Sequence, residues 1–288
     1  MDSRQPQNEF SCRKLWEEIP SVGRKYLHIW GGQPNYHSTI LIVHGLGEHG
    51  GRYHSLAHDF ATAGYRVIAF DQQGHGQSPE KRGCITSFDS MLDDIAAMLK
   101  WIGDDKPCIL FGHSMGGNLV LNYALRRTEL QPNAVICSSP MIKAVRPPHP
   151  IFEFVLRMLL RVAPNMTISS GTDPAKLMSD PKEQQALADD DIFHSSLSLR
   201  LGAALLDSGR WTLKHADQLK TPMLLIHGTA DTKTCCEASI DFARLSTAAC
   251  KLEILPERMH DPFRDVERYQ ALEKYFQFMD SIRNKVVA

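Results

Sequence analysis

Short, uninterrupted apolar runs alternate along this chain with stretches whose apolar residues recur at helical spacing. The runs include Thr39-Ile40-Leu41-Ile42-Val43, Arg66-Val67-Ile68-Ala69-Phe70, Cys108-Ile109-Leu110-Phe111 and Ala134-Val135-Ile136-Cys137. Pro222-Met223-Leu224-Leu225-Ile226-His227 and Lys251-Leu252-Glu253-Ile254-Leu255 continue the series, and Tyr26-Leu27-His28-Ile29-Trp30 precedes it. Apolar runs without polar alternation predict strands covered on both faces. Between them, 87–101 aligns Phe88, Met91, Leu92, Ile95, Met98 and Leu99 on one helical side, and 54–63 is a helix that Gly64 closes. Repeated strand–helix units predict an α/β fold with a mostly parallel central sheet and helices on both faces.

That rhythm stops after Ser138-Ser139-Pro140 and resumes at Pro222. The intervening segment has no clear strand, several prolines and two or more helices. The chain therefore divides into a first core part (1–140), a helical cap or lid insertion (141–210) and a second core part (211–288). An insertion there sits above the carboxyl ends of the strands, where ligands bind in α/β sheets. Its most apolar piece, 151–163, carries Arg157 and Arg161 on one side. Such a helix could pack on the core, face a lipid surface, or do both.

The chemistry is concentrated at Gly112-His113-Ser114-Met115-Gly116, between an apolar strand and a helical stretch. A serine flanked by small residues at a strand-to-helix corner is a nucleophile elbow. Its hydroxyl needs a base and an acid to orient that base, and in this architecture they follow in the order Asp, then His. Asp231 lies just past the strand at 222–227, and His260 follows the strand at 251–255, so the expected catalytic triad is Ser114, Asp231 and His260. Asp261 and Pro262 then read as the cap and first turn of a final helix. The loop after the 39–43 strand, His44 to Tyr53, is glycine-rich and supplies the oxyanion donor Leu46 N–H beside Met115 N–H.

The same loop contains Gly45-x-Gly47-x-x-Gly50, with Asp71 ending the next strand, a dinucleotide fingerprint in outline. Glu48 argues against it, because a carboxylate there would repel a pyrophosphate. His75, in the second glycine-rich loop, reads as part of a structural turn. Cys235-Cys236 could be a redox pair, although adjacent cysteines rarely form an unstrained bridge.

The 288 residues, 43% hydrophobic and 23% charged, suffice for a full core, and a net charge of −1 gives no pull towards nucleic acid. The seven cysteines are scattered without metal spacing. Neither a metal nor a cofactor is expected. Free thiols, residues 1–7 without an apolar signal core, and no apolar run of membrane-spanning length make the cytoplasm the expected compartment.

Taken together, these motifs resemble the monoacylglycerol lipase and lysophospholipase group of the α/β-hydrolase fold. The residues that carry the resemblance are His44 to His49 with Gly51, Arg52 and Tyr53, the loop from Asp71 to Ser78, the Ser114 elbow, Gly228 to Asp231, and His260. It implies ester hydrolysis on single-chain acyl lipids through an acyl-enzyme on Ser114. Glu48, Arg52 and His113 are then expected at the polar headgroup end of the site, although Glu48 and Arg52 could instead be an ion pair that fixes the loop. Where relatives tend to carry an Asn-Asp-Pro type segment, this chain has Asp189-Asp190-Asp191-Ile192-Phe193, which leaves glycerol recognition open. The alternatives are a small-ester esterase, thioesterase or acyltransferase with the same triad, or a binding protein on this fold. Peripheral membrane contact through the cap is compatible with each, and oligomeric state is open.

Overall fold

The computed structural model describes residues 12–246 and 249–287, with side chains to residue 284. Residues 1–7, read above for a signal core, lie outside the described residues. In chain order the strands are β1 (Arg13–Ile19), β2 (Gly23–Trp30), β3 (Thr39–Val43), β4 (Arg66–Phe70), β5 (Cys108–His113) and β6 (Ala134–Ser138). After them come β7 (Thr167–Ser169), β8 (Ser196–Ser198), β9 (Met223–Gly228) and β10 (Cys250–Leu255). Eight of them form one sheet in the order β1-β2-β4-β3-β5-β6-β9-β10, parallel from β4 to β10 and antiparallel at the β1–β2 edge.

The buried runs explain the layering. Ile40 and Ile42 of β3 pack with α1 (His54–Thr62) and α8 (Tyr269–Val287), through residues such as Phe60 and Tyr275. Leu41 and Val43 turn to the other side, against α2 (Phe88–Ile102) and α3 (Met115–Arg126), meeting Leu92 and Leu119. Each such side chain contributes roughly 1.5–3 kcal/mol on leaving water, so a strand buried on both faces is pinned in register. This is the doubly covered, mostly parallel sheet expected for the α/β-hydrolase fold. The α2 helix starts at a capping box between Ser87 and Ser90, which satisfies its free amides.

The segment between β6 and β9 holds α4 (Pro150–Leu159), α5 (Pro181–Ala188) and α6 (Leu199–Lys214). It also holds an antiparallel pair, β7 with β8, where no strand was expected. Three-residue strands, one of them largely exposed, are too short to show a period. The α4 helix, ending earlier than predicted, buries Leu156 against Leu199 and Ala203 of α6. Ile151, Phe152, Phe154, Val155 and Met158 point to solvent. One side of this helix thus packs on α6, within the inserted segment and not on the sheet core, and the other side is exposed. The α7 helix spans Cys236–Leu245. Cys235 and Cys236 are both free thiols. Among the described residues, no helix is long and apolar enough to cross a membrane.

Candidate active site

Ser114 is the single residue between β5 and α3, and its φ of 54° is in the left-handed region. Such a conformation costs on the order of 1–3 kcal/mol and is sustained only by its surroundings. Gly116 explains how they sustain it: a Cβ there would stand 1.9 Å from the Val43 carbonyl oxygen. The α3 backbone therefore lies directly against β3, and Ser114 is lifted above the strand ends.

The structure brings Ser114, Asp231 and His260 together. His260 Nδ1 lies 2.7 Å from Asp231 Oδ2, and its Nε2 lies 3.0 Å from Ser114 Oγ. Because a carboxylate only accepts, Nδ1 carries the hydrogen and Nε2 offers its lone pair to the serine hydroxyl. Asp231 also accepts from Thr234 Oγ1 at 2.6 Å, from Lys233 N at 2.7 Å and from Thr234 N at 3.0 Å. His227 Nε2 stands 3.1 Å from the same carboxylate. Burial would raise the Asp231 pKa, but His260 and the His227 hydrogen bond overcome it and hold the group far below the usual carboxylate range. Burial opposes charging of His260, and the Asp231 carboxylate outweighs it, so the imidazole is more basic than usual.

Met115 opens α3, so its N–H has no acceptor within the helix. Met115 and Leu46 both line the cavity over Ser114. The Leu46 loop is held from below by Glu48, whose Oε2 accepts from Gly45 N at 2.9 Å and from Tyr53 Oη at 2.7 Å. Its Oε1 accepts from Arg264 Nη1 at 2.6 Å. Arg264 also donates to Asp261 Oδ2 at 2.7 Å, and Asp261 Oδ1 faces His113 Nε2 at 2.9 Å. Burial works against Glu48, yet Arg264, His113 and Arg52 keep it well below the usual range; His113 and Arg264 bring Asp261 to about 2 against the same penalty.

From above, the loop meets the cap. Gly47, at φ +78°, accepts from His194 N at 3.1 Å, and a Cβ there would approach the His194 carbonyl oxygen to 2.0 Å. His49 Nε2 pairs with Asp190 Oδ2 at 2.9 Å. The fingerprint-like glycines thus serve packing, and Asp71 accepts from Gly50 N at 2.8 Å and Gln77 N at 2.7 Å, so its carboxylate is spent on the two loops.

The cavity over Ser114 holds about 380 Å³. Glu48 and His113 line it, but the structure does not bring Arg52 there: its guanidinium lies 3.4 Å from Glu48 Oε1 and 3.5 Å from Asp190 Oδ2. Asp261 departs from the expected capping role as well. It precedes a short 3₁₀ turn, Pro262–Arg264, with no side-chain cap, and its carboxylate serves His113 and Arg264 instead; α8 begins only at Tyr269. His75 is buried with Nδ1 2.8 Å from Gln73 O, away from the cavity lining. Sequence reasoning missed Arg264, His227 and Thr234. No local pattern in the sequence marks Arg264, whose partner Glu48 is far away along the chain. Two clusters of side chains, His28-His49-Asp71 and His113-His260-Asp261, have the composition of a metal site. In the second, His113 and Asp261 already satisfy each other.

The sequence profile of the Hydrolase_4 family, described as serine aminopeptidase S33, matches residues 34–267. An uncharacterized abhydrolase domain-containing protein of Dictyostelium discoideum is 34% identical over 216 residues, 75% of this chain and 23% of that protein. The chain thus matches about a quarter of that relative's length. The monoacylglycerol lipase of Mycolicibacterium smegmatis is 28% identical over 250 residues, covering 85% of this chain and 89% of its own. Among solved structures, the Paleococcus ferrophilus monoacylglycerol lipase superposes with a TM-score of 0.78 at 28% identity, covering 95% of this chain and 99% of its own. A soluble variant of the Saccharomyces cerevisiae monoglyceride lipase, at 21% identity, shares the fold with a TM-score of 0.84, over 97% of this chain and 98% of its own.

Proposed function

The chain belongs to the Hydrolase_4 family, and from that premise we propose that it is a carboxylic ester hydrolase cleaving single-chain acyl lipids, monoacylglycerol or lysophospholipid, through an acyl-enzyme on Ser114. The observation that carries this reading is His260, set between Ser114 Oγ at 3.0 Å and Asp231 at 2.7 Å and lining a cavity whose walls are partly apolar.

His260 takes the Ser114 proton as Oγ attacks the ester carbonyl, and Asp231 holds the imidazolium in place. The Leu46 and Met115 amides meet the oxyanion, each such donor being worth about 3 kcal/mol. Collapse of the tetrahedral intermediate expels the alcohol, which takes its proton from His260. Water then gives a proton to His260 and attacks the acyl-enzyme; collapse breaks the bond to Ser114 Oγ, which takes that proton back from His260 as the fatty acid leaves. Glu48 and His113 bound the polar end of the site, and Arg52 stands behind them, paired with Glu48 and Asp190.

The family's peptidase description invites an aminopeptidase reading, which needs an unspent carboxylate to hold a substrate ammonium. Glu48 and Asp261, the acids lining the cavity, are both paired with Arg264. Ester substrates need no such anion. The outward apolar side of α4 fits peripheral contact with a lipid surface, from which an acyl chain can enter, and a cytoplasmic protein could make that contact.

A fluorophosphonate probe provides the test. Wild-type protein should label and Ser114→Ala should not, with p-nitrophenyl butyrate turnover lost in parallel. Labelling that survives the substitution would place the nucleophile elsewhere.

A further inference from the structure

The cavity carries two cations that catalysis does not use. Arg146 and Lys233 both line it, and among the described residues neither has a carboxylate partner at ion-pair distance. Lys233 Nζ donates to the Gly171 carbonyl, a neutral acceptor, at 2.9 Å. Burial and then the nearby Lys176 charge lower its pKa, against the pull of Asp173 and Asp231. Ser169, Ser170 and Thr172 add hydroxyls to the same lining.

Backbone pairing sets the stretches that carry the two cations beside each other. Ala144 and Thr234 form an antiparallel bridge, Val145 N donates to Lys233 O at 3.1 Å, and Cys235 N donates to Lys143 O at 2.8 Å. Thr234 is also the residue whose hydroxyl holds Asp231. The segment that holds Asp231 therefore also carries Lys233 and pairs with the stretch that leads to Arg146. The lining also has an apolar part, with Leu46, Met115, Met141, Leu197 and Leu205.

We infer that Arg146 and Lys233, with the three hydroxyls, form a subsite for a phosphate carried on the substrate's glycerol, so that the preferred lipid is a lysophospholipid with a terminal phosphate and not neutral monoacylglycerol. This rests on the ester-hydrolase reading and names its substrate class. An ammonium and a guanidinium together match a phosphomonoester dianion, the guanidinium able to engage two oxygens at once. A monoacylglycerol brings no counter-charge to either cation.

The test compares kcat/KM for 1-oleoylglycerol 3-phosphate and for 1-oleoylglycerol, in the same neutral detergent at low salt. Wild type, Arg146→Ala and Lys233→Met are measured, and inhibition of p-nitrophenyl butyrate turnover by glycerol 3-phosphate and by inorganic phosphate is read in parallel. The wild type should favour the phosphorylated lipid by about tenfold or more, and each substitution should cut that ratio about tenfold, as the loss of one charge-assisted contact predicts. Glycerol 3-phosphate should inhibit more tightly than inorganic phosphate, and less tightly in either variant. A wild-type ratio of one or below, a ratio untouched by both substitutions, or equal inhibition by free phosphate overturns the inference. If p-nitrophenyl butyrate is turned over but neither lipid is, the lipid reading falls. The subsite then survives only if glycerol 3-phosphate inhibits in an Arg146- and Lys233-dependent way, and falls otherwise.

Discussion

Two clusters of paired charge, one beneath the Leu46 loop and one between α4 and α6, have nearly the same side chains. The lower cluster joins Glu48 and Asp261 to Arg264 and Arg52; the upper joins Glu153 and Asp207 to Arg157 and Arg210. Their distances are alike: Arg264 reaches Glu48 at 2.6 Å, and Arg210 reaches Glu153 at 2.5 Å. Even the acidities agree, with Asp261 and Glu153 each at about 2. Water separates them, because the Arg264 side chain is 2% exposed and that of Arg210 is 55% exposed. Similar acidities therefore carry unequal stability. On the cap, solvent screens the charges and side-chain entropy offsets much of the attraction. Beneath the loop, removing one partner strands another charge in a medium that cannot solvate it.

The hardest trial of this contrast is Arg264→Met, which keeps the bulk and deletes the charge. Urea unfolding should show a loss of about 3–5 kcal/mol, and ester turnover should fall with it because Glu48 no longer holds the Gly45–Leu46 turn. A loss under about 1 kcal/mol would show that burial adds nothing here. Acid titration sharpens the contrast at intermediate scale. The folded-state pKa values of Glu48 and Asp261 are depressed, so their contribution is complete above roughly pH 4.5 and disappears as pH falls through the folded values. Wild-type stability should drop more steeply than that of Arg264→Met below that pH, as followed by urea midpoints; parallel curves would contradict the assignment. The smallest effect belongs to Arg210→Ala, expected to cost under about 1 kcal/mol and to vanish in about 1 M salt. A salt-resistant loss would mean that the cap cluster behaves as a buried one.

The same contrast separates what the chain made legible from what it hid. Ser114, Asp231 and His260 stand at strand ends, and strand ends can be read from apolar runs such as 108–111 and 222–227. The doubly covered sheet followed from those runs for the same reason. Arg264 could not be found that way, since its partner Glu48 lies 216 positions away and no local pattern records the pairing. Asp261 misled because Asp before Pro is a good helix start, and a tertiary pair with His113 and Arg264 won over that local preference. β1 was invisible because it is an edge strand with charged, exposed positions around Trp16. Arg52 sits next to the expected headgroup residues in sequence but points its guanidinium at Asp190.

The contact between Gly47 and the His194 carbonyl bears on how such enzymes diversify. A cap of foreign sequence grafted onto this core would have to reproduce the course of the main chain near position 194, whatever side chains it brought. Missing that fit, it would leave a gap or a clash against the turn that presents the Leu46 amide. Here, reshaping specificity by exchanging whole caps is an operation on the chemical machinery as well.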